Sequence, residues 1–482
     1  MEETQSYQQL KRNSLVSTLS LFFQSGYTAL LGLVANLVVT ILLSPAIFGM
    51  YITVLSLISV LNYFSDIGLA ASLIQKKETD PKDFSTTFTV QQILTVSLVM
   101  LGFLITNTVM QFYKLPPEGT YLYWALLGGF FFSSLKTIPS ILLERKIQFQ
   151  KIVLVQVLEG TVFYITIIIC AIAKLGLNSF TIAVVLRSLV GVTLIYYLSP
   201  WTPQFGISRE SLRSLLKFGL PFQASSFLAL FKDDLIMLFL GKVVGFTGVG
   251  YIGWAKKWAE APIRIIMDNI TKVLFPVISR LQHDKEKIGQ LIEKIIFFQT
   301  AILAPVILGM LLSMEHIVFL IPKYAKWLPA LPIFYLFCFS AFLSSFSSPL
   351  LNLINALGQA KIVLIFMAIW TVITWILTPL LTYFFSYFGF PITVCIISLS
   401  SVLVVLIAKR FVHFRFLHAT YKPFLSALMM GLVIGLIKLV VTHHLTALIL
   451  SVLLGGTTYL STLYFVFNVN MVKEVKLLFL RK

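Results

Sequence analysis

The chain has 482 residues, 58% hydrophobic and only 12% charged, with a mean hydropathy of +0.92. A soluble domain carries roughly 45–50% apolar and about 25% charged residues, so a water-soluble globular protein is excluded and lipid is the solvent for most of the chain. The net charge of +18, which in a soluble protein would point to nucleic acid, needs a different explanation.

A bilayer core is about 30 Å thick and takes about 20 apolar residues per helix. Such runs recur from Ser14 almost to the C-terminus. In chain order they predict helices over 14–43, 47–75, 87–112, 121–143, 152–173, 178–199, 215–240, 247–281, 290–321, 329–357, 359–386, 391–408, 422–441 and 446–468. The ninth and tenth are the least sharply bounded. Barrel strands need only about 10 alternating residues, so the expected fold class is an all-α polytopic membrane protein with about 14 transmembrane helices. The first run is too long for a signal h-region and no A-x-A-like site follows it, so it is read as retained. Residues 4–13 are expected as a short helix on the inner surface, and 470–482 as a basic cytoplasmic tail.

With fourteen helices and the N-terminus inside, the cytoplasmic segments hold 24 of the 37 Lys and Arg. The external segments hold five: Lys114, Lys174, Lys242, Lys323 and Lys326. The positive-inside rule then places both termini in the cytoplasm and accounts for the net charge without nucleic acid.

The clearest linker is PWTPQFGISRESLRS at 200–214. It divides the chain into an N-terminal lobe of helices 1–6 (1–200), a second lobe of linker plus helices 7–12 (201–412), and two extra helices with the basic tail (413–482). The halves are faintly alike: LLSPAIFGMYITVLS at 42–56 and FLGKVVGFTGVGYIGWAKK at 239–257 each carry a glycine close before a tyrosine, Gly49-Met50-Tyr51 and Gly250-Tyr251. Six helices per half make these parallel repeats about an axis along the membrane normal, an arrangement that places a transporter's substrate site between the halves.

Charges inside spans cost about 2.5–3.5 kcal/mol at a helix centre on insertion scales and so mark functional interiors. The eighth helix carries Lys256, Lys257, Glu260, Arg264, Asp268 and Lys272. At 100° per residue, Lys257, Glu260, Arg264 and Asp268 share an arc of roughly 80°, with spacings that allow Lys257–Glu260 and Arg264–Asp268 pairs. A self-bridging structural helix is the bland reading, a cavity wall the functional one, and the cavity is preferred because packing alone needs no such stripe. Lys136 on the fourth helix and Arg187 on the sixth complete a basic interior suited to an anionic headgroup. Asp66, Glu159, Asp233 and Asp234 are acids with either a coupling or a structural role.

Cys170, Cys338 and Cys395 all fall in spans, and no Cys/His ligand spacing, phosphate loop or nucleophile elbow occurs. No disulfide, metal, cofactor or catalytic residue is expected, and the external loops are too short for an enzyme's chemistry.

The stretch LLSPAIFGMYITVLSLISVLNYFSDIGLAASLIQKKE at 42–78, with Pro45, Phe48-Gly49-x-Tyr51, Asp66-x-Gly68 and Ile74-Gln75-Lys76, resembles the start of the polysaccharide transport (Wzx-like) flippases of the MOP superfamily. GYIGWAKKWAEAPIRIIMDNITKVLFPVISRLQHDKEKI at 250–288 resembles that family's long eighth helix, ending Phe275-Pro276-x-x-Ser279-Arg280-Leu281-Gln282. The resemblance covers both six-helix halves, and the last two helices match in hydropathy alone. It implies two six-helix lobes in a V, with a central cavity opening alternately to each side. It also implies export of a lipid-linked oligosaccharide of the undecaprenyl-pyrophosphate type during surface polysaccharide (lipopolysaccharide, O-antigen) biosynthesis, by a monomer that meets membrane lipids and works beside a polymerase or glycosyltransferases. The alternative is a secondary transporter of another cargo on the same fold, such as a cation-coupled drug exporter, since fold does not settle cargo.

Overall fold

A computed structural model describes residues 2–281 and 284–469. Every regular element among them is helical: α1 (Glu2–Leu42), α2 (Pro45–Asp66), α3 (Leu69–Gln75), α4 (Pro81–Leu104), α5 (Thr106–Tyr113), α6 (Pro117–Leu135), α7 (Thr137–Arg145), α8 (Phe149–Ile172), α9 (Asn178–Leu198), α10 (Arg209–Val243), α11 (Gly245–Leu281), α12 (Lys285–Leu320), α13 (Leu331–Ala356), α14 (Ala360–Phe385), α15 (Gly389–Ser398), α16 (Ser401–Phe411), α17 (Phe416–Val440) and α18 (His444–Ser461), with short 3₁₀ and π turns. Helix lies over every one of the fourteen predicted segments. Eleven stretches among the described residues, from Phe23–Leu42 to His444–Val466, are long and apolar enough to cross a membrane, and the chain is a multi-pass membrane protein. The longest, Ala360–Phe411, folds back at Ser386–Phe388, so that α15 packs along α14.

Four predicted helices are broken. The second breaks at Ile67 and Gly68, both left-handed (φ 44° and 80°), and Asp66 Oδ1 accepts the Ala70 N–H at 3.0 Å to start α3. Glycine takes that backbone without a Cβ clash, and here it is needed twice over: a Cβ on Gly68 would lie 2.1 Å from the Gly219 carbonyl oxygen of α10. The other breaks fall at Ile105, Lys136 and Leu399–Ser400. Several helices start earlier than the sequence reading: α10 at Arg209 rather than 215, α12 at Lys285 rather than 290, α17 at Phe416 rather than 422, and the first and third helices. The first helix runs unbroken from Glu2, so 4–13 is its opening rather than a separate surface helix. The third begins at Pro81 rather than 87, because Asp80 and Asp83 form a reciprocal capping box around a proline at the first helical position, both strong start signals.

Contacts group the chain into two compact units, residues 1–253 and 254–482. In the first, α8 packs on α1 and α9, α9 on α6, and α10 on α2 and α3. The linker at 200–208 is pinned there. Gly206 N–H donates to Thr89 Oγ1 at 2.9 Å and Ser208 N–H to Thr86 Oγ1 at 3.0 Å, while Phe88 packs against Trp201 and Phe205. In the second unit, α12 packs on α17 and α18, and α13 on α15 and α16. Ile288, Ile292, Ile296, Leu350 and Leu353 are fully buried at its core.

The two glycine-tyrosine motifs meet inside the first unit. A Cβ on Gly49 would lie 1.8 Å from the Phe246 carbonyl oxygen, and one on Gly250 would lie 2.0 Å from the Pro45 carbonyl oxygen. Each glycine therefore faces the carbonyl one turn before the other, a reciprocal crossing of α2 with the first turns of α11. Small residues permit such backbone approach between membrane helices.

Candidate functional site

In the first unit the break at Lys136 separates α6 from α7 and turns the lysine toward α8. Its Nζ stands 2.5 Å from Glu159 Oε1, and the two side chains are 21% and 6% exposed. The carboxylate lies over Gly191 of α9, where a Cβ would sit 1.6 Å from Oε1. One part-buried ion pair thus ties these helices, its carboxylate seated against a glycine. Glu159 is paired with Lys136, and Asp66 accepts the backbone N–H of Ala70.

Arg187, near the middle of α9, is exposed, with its guanidinium 5.6 Å from the centre of the Phe163 ring. Phe163 is followed by Tyr51, which stacks on Phe180 at 4.0 Å. On α10, Asp233 is exposed and Asp234 half-buried.

In the second unit the stripe on α11 is an ion ladder. Glu260 Oε2 accepts from Arg264 Nη2 at 3.0 Å, and Lys256 Nζ stands 3.9 Å from Glu260 Oε1. The expected partner was Lys257. Lys256 takes that place because i,i+4 spacing with Glu260 sets it one turn above, while Lys257 lies 100° round the helix and is exposed. Lys256 also reaches to 6.0 Å from the Phe390 ring centre. Arg264 is 71% exposed, about 28 Å along a helix that rises 1.5 Å per residue from its start at Gly245. The side chain of Asp268, its other expected partner, lies outside the described residues.

The structure thus brings together Lys136 with Glu159, and Glu260 with Arg264. Sequence reasoning missed Lys256 as a partner, Gly191 as the seat of Glu159, and the Phe163–Tyr51–Phe180 aromatics near Arg187. Of these only Lys256 carried a local signal, its i,i+4 spacing from Glu260. The others depend on contacts between distant helices.

Comparison with known proteins points one way. The family model described as "Polysaccharide biosynthesis protein" matches residues 38–332. The succinoglycan biosynthesis transport protein ExoT of Rhizobium meliloti (strain 1021) is 22% identical over 88% of this chain and 86% of its own length. The lipopolysaccharide biosynthesis protein WzxC of Escherichia coli (strain K12) is 24% identical over 69% of this chain and 68% of its own. Among solved structures, the lipid II flippase MurJ in an inward closed conformation superposes with a TM-score of 0.75 at 16% identity, covering 94% of this chain and 99% of that one. An inward-facing multidrug resistance MATE family transporter of the MOP superfamily gives 0.59 at 16% identity, covering 83% and 97%. These neighbours are transporters and flippases rather than enzymes, and the likeness shows the fold. With more than half of its length matched by the family model, this multi-pass chain belongs to the polysaccharide biosynthesis protein family.

Proposed function

We propose that the protein is a flippase. It moves a lipid-linked oligosaccharide, of the undecaprenyl-pyrophosphate type, from the inner to the outer leaflet of a prokaryotic cell membrane by alternating access. Two six-helix lobes, roughly 14–199 and 215–408, carry the transport, and the two last helices follow. The observation that carries this reading is Arg264: a guanidinium near the middle of a long helix, 71% exposed. Facing lipid there would be costly, so the face it occupies is wet. Arg187 repeats the pattern on α9.

The physics is coherent. Each unpaired sugar hydroxyl moved from water into hydrocarbon costs about 4–8 kcal/mol, so the glycan crosses through water while its lipid tail stays in the bilayer. A pyrophosphate needs cations, and Lys136, Arg187, Lys257 and Arg264 are the candidates. An inside-negative potential drives an anion outward by about 2.3 kcal/mol per charge per 100 mV, which favours export without ATP. The drug-exporter alternative wants a dominant acid. Glu159 and Glu260 are engaged by cations and Asp66 by backbone. The protein acts as a monomer with both termini cytoplasmic, beside the polymerase or glycosyltransferases that share its substrate.

Two experiments test this. In a deletion strain, mass spectrometry of lipid-linked intermediates should show the oligosaccharide accumulating, and export should return with the native gene. Arg264→Ala should leave the protein abundant and membrane-inserted but block that return, and Arg264→Lys should be partly defective because an ammonium lacks the planar fork that grips phosphate oxygens in pairs. Normal export by an abundant Arg264→Ala protein would remove the residue from the site. For orientation, cysteines replacing Lys77, Gln148 and Asp284 should label only from inside, and those replacing Pro117 and Ser386 only from outside. Inside labelling at 117 would overturn the layout.

A further inference from the structure

A groove of about 470 Å³ opens between α12, the first turns of α17 and the segment just after α18. On α12 its wall is a single stripe at helical spacing, Gln290, Glu293, Lys294, Phe297 and Phe298, polar toward the end of the helix and aromatic one turn deeper. The opposite wall brings His418 and Lys422. The one lining carboxylate is already engaged: Glu293 Oε1 accepts the Arg415 backbone N–H at 2.5 Å and stands 3.7 Å from Arg415 Nε. Lys422 is half-buried, its ammonium donating to the Phe467 carbonyl at 3.3 Å. Lys294 is exposed at the mouth. The groove is therefore net positive at its rim and aromatic within.

We propose that this groove is a binding site for the headgroup of an anionic phospholipid, distinct from the transport cavity. Lys294 and Lys422 take the phosphate, Gln290 and His418 the headgroup hydroxyls, and Phe297 and Phe298 the start of the acyl chains. The chain's own tail is a poor occupant. Residues 470–482 carry Lys473, Lys476, Arg481 and Lys482 against one acid, Glu474, the same sign as the groove. A bare phosphate would leave the aromatic floor unused. The cytoplasmic orientation proposed above puts the groove in the inner leaflet, but binding in detergent does not depend on that orientation or on the cargo.

Purified full-length protein, delipidated in an uncharged detergent, is incubated with phosphatidylglycerol or phosphatidylcholine, and retained lipid is read by native mass spectrometry. Phosphatidylglycerol should be retained at least tenfold over phosphatidylcholine. Lys294→Gln/Lys422→Gln should lose that preference while Lys294→Arg/Lys422→Arg keeps it, which separates charge from folding. Equal retention of the two lipids by the native protein overturns the site, as does an undiminished preference in the Gln variant. Displacement of the lipid by an equal concentration of inorganic phosphate overturns the lipid as ligand. Loss of preference in Lys473→Gln/Lys476→Gln, with the groove variant unaffected, moves binding to the tail and overturns it too.

Discussion

Gly49→Ala and Gly250→Ala should each destabilise the folded protein by about 1–3 kcal/mol or more, the range for overpacking a tight contact, and the double variant should cost less than the two together. The obstacles are backbone atoms. The new methyls would lie 1.8 Å from the Phe246 carbonyl oxygen and 2.0 Å from the Pro45 carbonyl oxygen, so no side chain can swing aside and α2 must move off α11. Because the crossing is reciprocal, the separation that accommodates one methyl also makes room for the other. That coupling is what a double-mutant cycle measures. Thermal midpoints in detergent would show it. Unchanged midpoints in the single variants would mean that the close approach is not part of the stable fold, and additive losses would mean that the two clashes are relieved independently.

The second large effect is expected at the Lys136–Glu159 pair. Removing one partner of a fully buried ion pair leaves an uncompensated charge, at a cost of about 3–5 kcal/mol, an upper bound for this part-buried pair, whereas replacing both with apolar residues of similar volume is often close to neutral. Lys136→Met and Glu159→Met should therefore each reduce membrane abundance sharply, and Lys136→Met/Glu159→Met should restore much of it. Gly191→Ala provides an independent route to the same defect, since its Cβ would fall 1.6 Å from Glu159 Oε1 and force the carboxylate from its seat. If all these variants accumulate like the native protein, the pair has no structural role. An abundant double variant that fails to export would give Lys136 a role in handling the substrate as well, because folding no longer depends on it.

The helical architecture was legible because hydropathy acts over twenty residues at a time and needs no knowledge of neighbours. Breaks within helices were less so. Asp66-x-Gly68 carried its own signal, as did Asp80-Pro81 before α4 and Pro139, which cannot donate to the Leu135 carbonyl at the end of α6, but none of these says where Lys136 points. The lysine has its partner on α8, 23 residues away, and only the tertiary structure shows it. The charged stripe on α11 was visible from spacing, while the choice between Lys256 and Lys257 for Glu260 depended on one residue of helical phase. The likeness of Gly49-Met50-Tyr51 to Gly250-Tyr251 could be read in the sequence. That the two motifs touch could not, since periodicity describes faces and says nothing about which faces meet.

Composition marks 200–214 as the seam of the molecule, yet 200–208 behaves as a strap glued to α4, its backbone N–H groups held by Thr86 and Thr89. Past the strap, α10 remains packed on α2 and α3, and the contacts divide the chain only at 253/254, in the third turn of α11. This bears on how chimaeras between relatives should be joined. A crossover at residue 200 would pair a strap and an α10 from one parent with receiving threonines and helix surfaces from another, mismatching every contact that crosses the cut. A crossover at 253 keeps the strap, α10 and both glycines of the α2–α11 crossing with a single parent, and transfers the charged ladder on α11 whole.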